Sequence, residues 1–258
     1  MTDNNRISLR RWPAVWQRNR QVWQKTAAAT LLGDFGEPFF YLIALGYGLG
    51  FFIGTVEGMP YLEFLASGIV CVSATQAATF ECLYASYTRL AIQHTWQSIL
   101  ATPLNVPDIV IGEILWAATR GLASAVAVLI VAAGFGFIHS WQALWVLPLM
   151  FWAGACFAAM ALVMTALAHS YDFFLYYNTL FITPMILLSG VFFPLERLPV
   201  SVQMGAQAFP LVHAIKLTRS LIIGQPITEI LLPLIVITGY TIIAIYIAII
   251  LLERRLYQ

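Results

Sequence analysis

The chain has 258 residues, 60% of them hydrophobic and 10% charged, with mean hydropathy +0.82 and formal net charge +1. Soluble domains carry about 25% charged residues, so this composition excludes one and predicts a polytopic, all-α membrane protein. No strongly basic surface for nucleic acid is expected, and Cys71, Cys82 and Cys156 lie far apart in apolar stretches, without metal or disulfide spacing.

Residues 1–30 hold six of the thirteen Lys and Arg and no apolar core of a secretory signal. Trp12, Val15, Trp16, Val22 and Trp23 recur at helical spacing beside a stripe of Arg11, Arg18 and Lys25, with Pro13 suited to a first turn. This pattern predicts an N-terminal amphipathic helix in the membrane interface, its cations reaching lipid phosphates. Six apolar spans follow, at about 31–53, 61–85, 109–131, 144–167, 173–192 and 230–252. Each is near the ~20 residues that cross a ~30 Å hydrocarbon core.

Lys and Arg placement sets orientation. The N-terminal segment is basic, Arg254 and Arg255 close the chain, and the loops after spans 1 and 3 carry neither residue. Both termini are therefore expected on the cytoplasmic side, although Arg197, Lys216 and Arg219 fall in the nominally external 193–229 stretch. Pro194, Pro199, Pro210 and Pro226 cut that stretch into pieces too short to span. It is read as a pair of re-entrant helices within about 193–224, entering from the outer side.

Small residues recur four apart at Ala74 and Ala78, at Ala117, Gly121 and Ala125, and at Gly154 and Ala158, as close helix crossings require. Glu81, Glu113 and Arg120 are charges within spans. Glu113 and Arg120 stand about 10.5 Å apart along one helix, so each is expected to pair with another helix, Arg120 with Glu81. There is no phosphate loop, HExxH or GxSxG, and the four His are scattered. Between spans 2 and 3, Leu90–Leu100 reads as a short helix stopped by Pro103 and Pro107. Its Leu90, Trp96, Ile99 and Leu100 are too apolar for a solvated loop, so they lie on the membrane or fill a partner's groove.

Two blocks, HTWQSILATPLNVPDIVIGEILWAATRG and TPMILLSGVFFPLERLP with FPLVHAIKLTR, resemble the ABC-2 type exporter permeases, especially those exporting nodulation lipo-oligosaccharides. The resemblance covers essentially the whole chain. It implies a bacterial inner-membrane permease working as a dimer on two copies of a separate ABC ATPase, which would hold ATP and Mg2+; this chain carries no cofactor. It implies a coupling helix at about 89–101, contacting the ATPase through Leu90, Thr95, Trp96, Gln97, Ile99, Leu100 and Pro103. Gln97 departs from the pattern, standing where an acidic residue is expected. Spans 1, 2 and 5 would line the pathway, and Pro194, Pro199, Pro210, His213 and Arg219 would belong to an outer gate. The expected cargo is an amphipathic glycolipid or lipo-oligosaccharide. Multidrug efflux by the same architecture is the alternative. A lipid-modifying enzyme would need clustered acids or His at one membrane face, and a non-transporting scaffold would use the same loop merely for docking.

Overall fold

The computed structural model describes residues 11–224 and 229–257. The first ten residues of the expected amphipathic segment, and Pro226, lie outside the described residues. Helix α1 (Trp12–Gln24) is followed by α2 (27–53), in which a π turn, Leu42–Tyr47, separates two α-helical stretches. A hairpin of β1 (Thr55–Val56) and β2 (Met59–Pro60) then turns through Glu57 and Gly58, both at positive φ, and pairs Val56 with Met59. Positive φ at both central residues matches the twist of a tight hairpin.

Four helices among the described residues are long and apolar enough to cross a membrane: α3 (Tyr61–Ile92), α5 (Val106–Gly134), α6 (Trp141–Leu167) and α10 (Leu231–Leu256). Between α3 and α5 sits the short α4 (Thr95–Leu100). After α6, α7 (172–187) runs through a π turn at Asn178–Ile182, and α8 (Val200–Ala206) and α9 (Pro210–Ile223) follow. At ~1.5 Å per residue α7 is about 24 Å long, shorter than the expected 173–192 span and than a ~30 Å hydrocarbon core. The α3 helix, by contrast, continues seven residues past the expected end at 85.

The bundle closes where small residues let backbones meet. A Cβ on Gly121 of α5 would lie 2.5 Å from the Ala74 carbonyl oxygen of α3, and one on Gly154 of α6 would lie 3.4 Å from Ala118 Cα. Ala74, Ala78, Ala117, Ala118 and Ala158 are fully buried at these crossings. Close backbone approach of this kind replaces the hydrophobic drive that lipid does not supply.

Contacts sort the helix ends into two groups. At one end, Tyr171 at the head of α7 meets Thr88 of α3, oxygen to oxygen at 2.7 Å, and Arg255 of α10 donates to the Thr165 and Ala166 carbonyls of α6 at 2.9 and 3.0 Å. At the other, the Tyr61 hydroxyl donates to Phe192 O at 3.2 Å, and the His139 N–H donates to Ile222 O. The first end also holds α1 and α4; the second holds the hairpin and α9.

Candidate functional site

Arg89 is the one Lys or Arg between Lys25 and Arg120 in the sequence, and it is buried. One of its terminal nitrogens donates to Glu113 at 2.6 Å, to Glu81 at 3.1 Å and to Ser86 at 3.2 Å. Ser86 in turn donates to Glu113 at 3.0 Å. Two π turns in α3, Glu81–Ala85 and Thr88–Ile92, make this possible. On a regular helix Glu81 and Arg89 would face about 80° apart. The wider turns alter that register and bring both, with Ser86, toward Glu113 of α5. A π turn leaves backbone groups without their usual partners, and the Thr165 hydroxyl of α6 donates to the Cys82 carbonyl at 2.7 Å.

The short helix α4 is fastened to this cluster. His94, at φ 52, makes the sharp break from α3, and Trp96 then turns inward with no exposed surface. The Trp96 indole N–H donates to Glu113 Oε1 at 3.2 Å, so Glu113 joins α3, α4 and α5. Leu90 is also buried, and Ile99 and Leu100 are half-buried against the core. Trp96 and Leu90 therefore neither lie on lipid nor fill a partner's groove; an indole that satisfies a buried carboxylate serves the chain's own interior. The outward face of the loop presents Ile92, His94, Gln97, Ser98 and Pro103, with Thr95 half-buried and bonded to Gln93.

Helix α1 completes this end, and its aromatic face turns to protein where lipid was expected. Val15 packs onto Gly112, where a Cβ would lie 2.6 Å from Val15 Cβ. Trp16 and Trp23 both meet Trp116 edge-on, at 6.1 and 6.0 Å, and the Trp16 indole donates to Thr119. Trp116 donates to Glu81 at 2.9 Å. Arg120 lies 4.0 Å from Glu81, the pairing anticipated from the sequence, with its guanidinium 5.2 Å from the Trp23 ring. Arg11 donates to the Pro103 carbonyl, tying α1 to the loop after α4. Arg18 is held below the usual arginine range, chiefly by burial and secondly by the charge of Arg89, with Glu113 opposing.

The other end is built differently. Arg219 of α9 donates to Ser67 Oγ at 3.1 Å and to Gly190 O at 2.8 Å, and its guanidinium sits 3.6 Å from the Phe64 ring. All of these partners are neutral. Gly190 is at φ +79, a conformation open to glycine, and this turns its carbonyl toward the cation. Pro194 precedes a 3-10 turn, Leu195–Arg197, while Pro199 and Pro210 stand at the starts of α8 and α9. The buried His213 ring bonds to Gln207 O at 2.8 Å across the α8–α9 turn. A cavity of ≈ 1230 Å³ opens here, lined by Glu57, Glu196, Arg197, Lys216 and Arg219 among apolar neighbours. Burial holds Glu57 above the usual carboxylate range; Arg219 opposes the shift and Glu196 adds to it.

The sequence marks Glu81, Glu113 and Arg120 as span charges, but places Arg89 only at the start of the expected 89–101 helix and gives Trp116 no role. The signal that was present is the isolation of Arg89 among seven acids between Lys25 and Arg120.

Residues 10–223 match the ABC-2 type transporter family. The chain is 44% identical over 245 residues to nodulation protein J of Rhizobium leguminosarum bv. viciae, covering 95% of each chain. It is 43% identical to the bv. trifolii protein of that name, and 40% identical to that of Rhizobium meliloti strain 1021, each over 95% of this chain and 94% of the relative. With a buried charge cluster at one end of an apolar bundle and these matches along nearly all its length, the chain belongs to the ABC-2 type transporter family and is a membrane-embedded exporter permease.

Proposed function

We propose that this chain is the six-span permease subunit of an ATP-driven exporter in a bacterial inner membrane, with both termini cytoplasmic. In this reading α2 and α7 are the first and fifth spans, residues 193–224 form the outer gate, and residues 1–30 lie at the inner interface. The kinship to proteins named for nodulation supports an amphipathic cargo of the lipo-oligosaccharide or glycolipid class. Two permeases would sit on two copies of an ABC ATPase, which binds ATP and Mg2+ and closes on them.

The observation that carries the reading is the Glu113 junction. A loop helix that merely docked a partner would need no link to the spans. Here α4 hydrogen-bonds through Trp96 to a carboxylate that also binds Arg89 of α3 and belongs to α5. Displacement of α4 by a closing ATPase would thus move two spans and α1 together. The outward residues Gln97 and Ser98, with the half-buried Ile99, would meet the ATPase, while Trp96 transmits.

The test is substrate-stimulated ATP hydrolysis by the reconstituted permease–ATPase complex. Ile99→Ala and Trp96→Phe are expected to assemble and to hydrolyse ATP at the basal rate, with stimulation cut several-fold. Normal stimulation in both variants would remove α4 as the coupling element.

A further inference from the structure

Two apolar grooves open on the outside of the bundle at the hairpin end, and Trp141 lines both. The larger, of ≈ 680 Å³, runs between α6, α9 and the start of α10, along Trp145, Trp152, Leu217, Leu221, Ile230 and Leu234. The smaller, of ≈ 380 Å³, runs between α5 and α6, along Leu129, Ile130 and Leu147. Trp141, Trp145 and Trp152 are 75%, 61% and 42% exposed. Tryptophans at the other end are turned to protein instead: Trp16 and Trp23 pack on Trp116, and Trp96 is buried.

The stripe from Trp141 to Trp152 rises about 18 Å, at ~2.0 Å per residue over the 3-10 turn Trp141–Trp145 and ~1.5 Å beyond it. That is close to the ~15 Å of hydrocarbon in one leaflet, half of a ~30 Å core. At the deep end of the larger groove the Trp152 indole donates to Thr238 of α10 at 3.3 Å. At its mouth, Ile230 is preceded by Glu229, which pairs with Lys216 of α9 at 3.5 Å. Both members of this pair are exposed, so water holds each about as well as its partner does. Residues 220–228 add no charge, and on the other side of Trp141, His139 is already engaged with Glu63 at 3.1 Å. The mouth therefore offers one exchangeable cation and one exchangeable anion above an apolar slot as deep as a leaflet.

We propose that the two grooves hold the acyl chains of one resident aminophospholipid, with Trp141 between the chains and Lys216 and Glu229 binding the headgroup. The lipid phosphate accepts from Lys216 and the primary ammonium donates to Glu229, so one exposed ion pair is exchanged for two charge-assisted contacts. A quaternary ammonium has no N–H for Glu229, and an anionic head sets a like charge beside it. The site therefore prefers a primary-amine zwitterion to a choline or glycerol headgroup. Indoles suit this depth, with the ring against the chains and the N–H toward the wet interface. The inference needs only the membrane-embedded bundle and is independent of the cargo.

The experiment reconstitutes the full-length permease in phosphatidylcholine vesicles and follows tryptophan fluorescence as lipids with brominated chains, which quench on contact, replace the host lipid. Brominated phosphatidylethanolamine is expected to reach half-maximal quenching at a roughly tenfold lower mole fraction than brominated phosphatidylcholine, the size of one hydrogen bond to a charged group. Brominated phosphatidylglycerol should do no better than the choline lipid. Lys216→Gln with Glu229→Gln should return phosphatidylethanolamine to the choline value with maximal quenching retained, and an exposed pair contributes too little for its loss to unfold the chain. Trp141→Phe with Trp145→Phe should remove most of the quenchable signal. Equal mole fractions for the two zwitterionic lipids in the wild type, or an ethanolamine preference that the charge variant keeps, overturns the headgroup site. Full quenching in the tryptophan variant overturns the grooves as the place of the chains. Preference for phosphatidylglycerol overturns the ligand class. Absence of quenching by any of the lipids overturns the proposal and points to a protein cover, such as a second copy of this chain.

Discussion

The two ends of the bundle solve the same problem, holding an arginine among helices, with opposite chemistry. At the α1–α4 end, Arg89 is buried between two carboxylates, and the cluster extends through three tryptophans to Arg120. At the hairpin end, the direct contacts of Arg219 are a hydroxyl, carbonyls and a phenyl ring, with Glu57 and Glu196 only as more distant charges in the adjoining cavity. Separating buried opposite charges exposes each to an uncompensated desolvation cost, whereas a cation released from neutral groups can rehydrate beside a wide cavity. If the proposed exporter reading holds, the difference makes the chain stiff where the ATPase would push and yielding where cargo would leave.

The comparison breaks most sharply at Glu113. Replacing it with Gln leaves Arg89 short of a counter-charge and weakens the Trp96 anchor, at a cost of about 3–5 kcal/mol. Thermal unfolding of the purified permease should show a drop of many degrees, and Arg89→Met added to Glu113→Gln should recover part of it. Failure of the second change to recover anything would mean the cluster is not a charge lock.

Next in size is Gly112→Val. Its side chain would drive into Val15 and the Trp12 carbonyl, so α1 should detach while α3, α5 and α6 remain packed. Overpacking of this kind costs about 1–3 kcal/mol, and limited proteolysis within 11–26 would report it. Arg219→Ala at the hairpin end should cost less than Glu113→Gln, about 1–2 kcal/mol for its hydrogen bonds. A loss as large as that at Glu113 would erase the distinction between the ends.

The smallest effect is a pH dependence at the cavity beside the hairpin. Glu57 has its folded pKa raised, so the folded state holds its proton more tightly than the unfolded chain does. The stability it contributes is present below the ordinary carboxylate pKa and is lost as pH rises through the raised value. Contact between the hairpin and the Leu195–Arg197 turn should loosen over that window. Hydrogen exchange of the 54–60 amides should follow it, and Glu57→Gln should flatten the profile.

The helices themselves were largely legible, because runs of apolar residues between Gly, Pro and charge punctuation fix where a helix must lie in a membrane. Val106–Gly134 was expected at 109–131, and Leu231–Leu256 at 230–252. The small-residue crossings at Gly121 and Gly154 were also readable, since only close backbone approach explains that spacing in lipid. What the helix fails to reveal on a regular wheel is the lock. Glu81, Ser86 and Arg89 meet through π turns, and the propensity of ECLYASYTRLAI announces no such turn. Tryptophan was ambiguous for a different reason: an indole is equally suited to an interface, a partner's groove or a buried carboxylate. Trp16, Trp23 and Trp96 all resolved toward protein, and only three-dimensional placement could decide that. The short α7 marks another limit, since it runs through its π turn and Pro184 but stops at Leu187, just before Gly190 at positive φ, while the apolar run continues.

The stiff-and-yielding account is tested most directly by paired disulfide locks in a background with Cys71, Cys82 and Cys156 replaced by Ala. One lock, Val15→Cys with Gly112→Cys, joins α1 to α5 at the charge-locked end; the other, Gly68→Cys with Val191→Cys, joins α3 to the segment after α7 at the hairpin end. Each pair stands in direct contact; the Val15–Gly112 Cβ atoms would be 2.6 Å apart, nearer than the ~3.8 Å of a relaxed disulfide, so closing that lock requires α1 to move out by about an ångström. Transport into vesicles is predicted to continue with the first lock closed and to stop, reversibly with reductant, with the second. Arrest by the first lock together with free transport through the second would contradict the account.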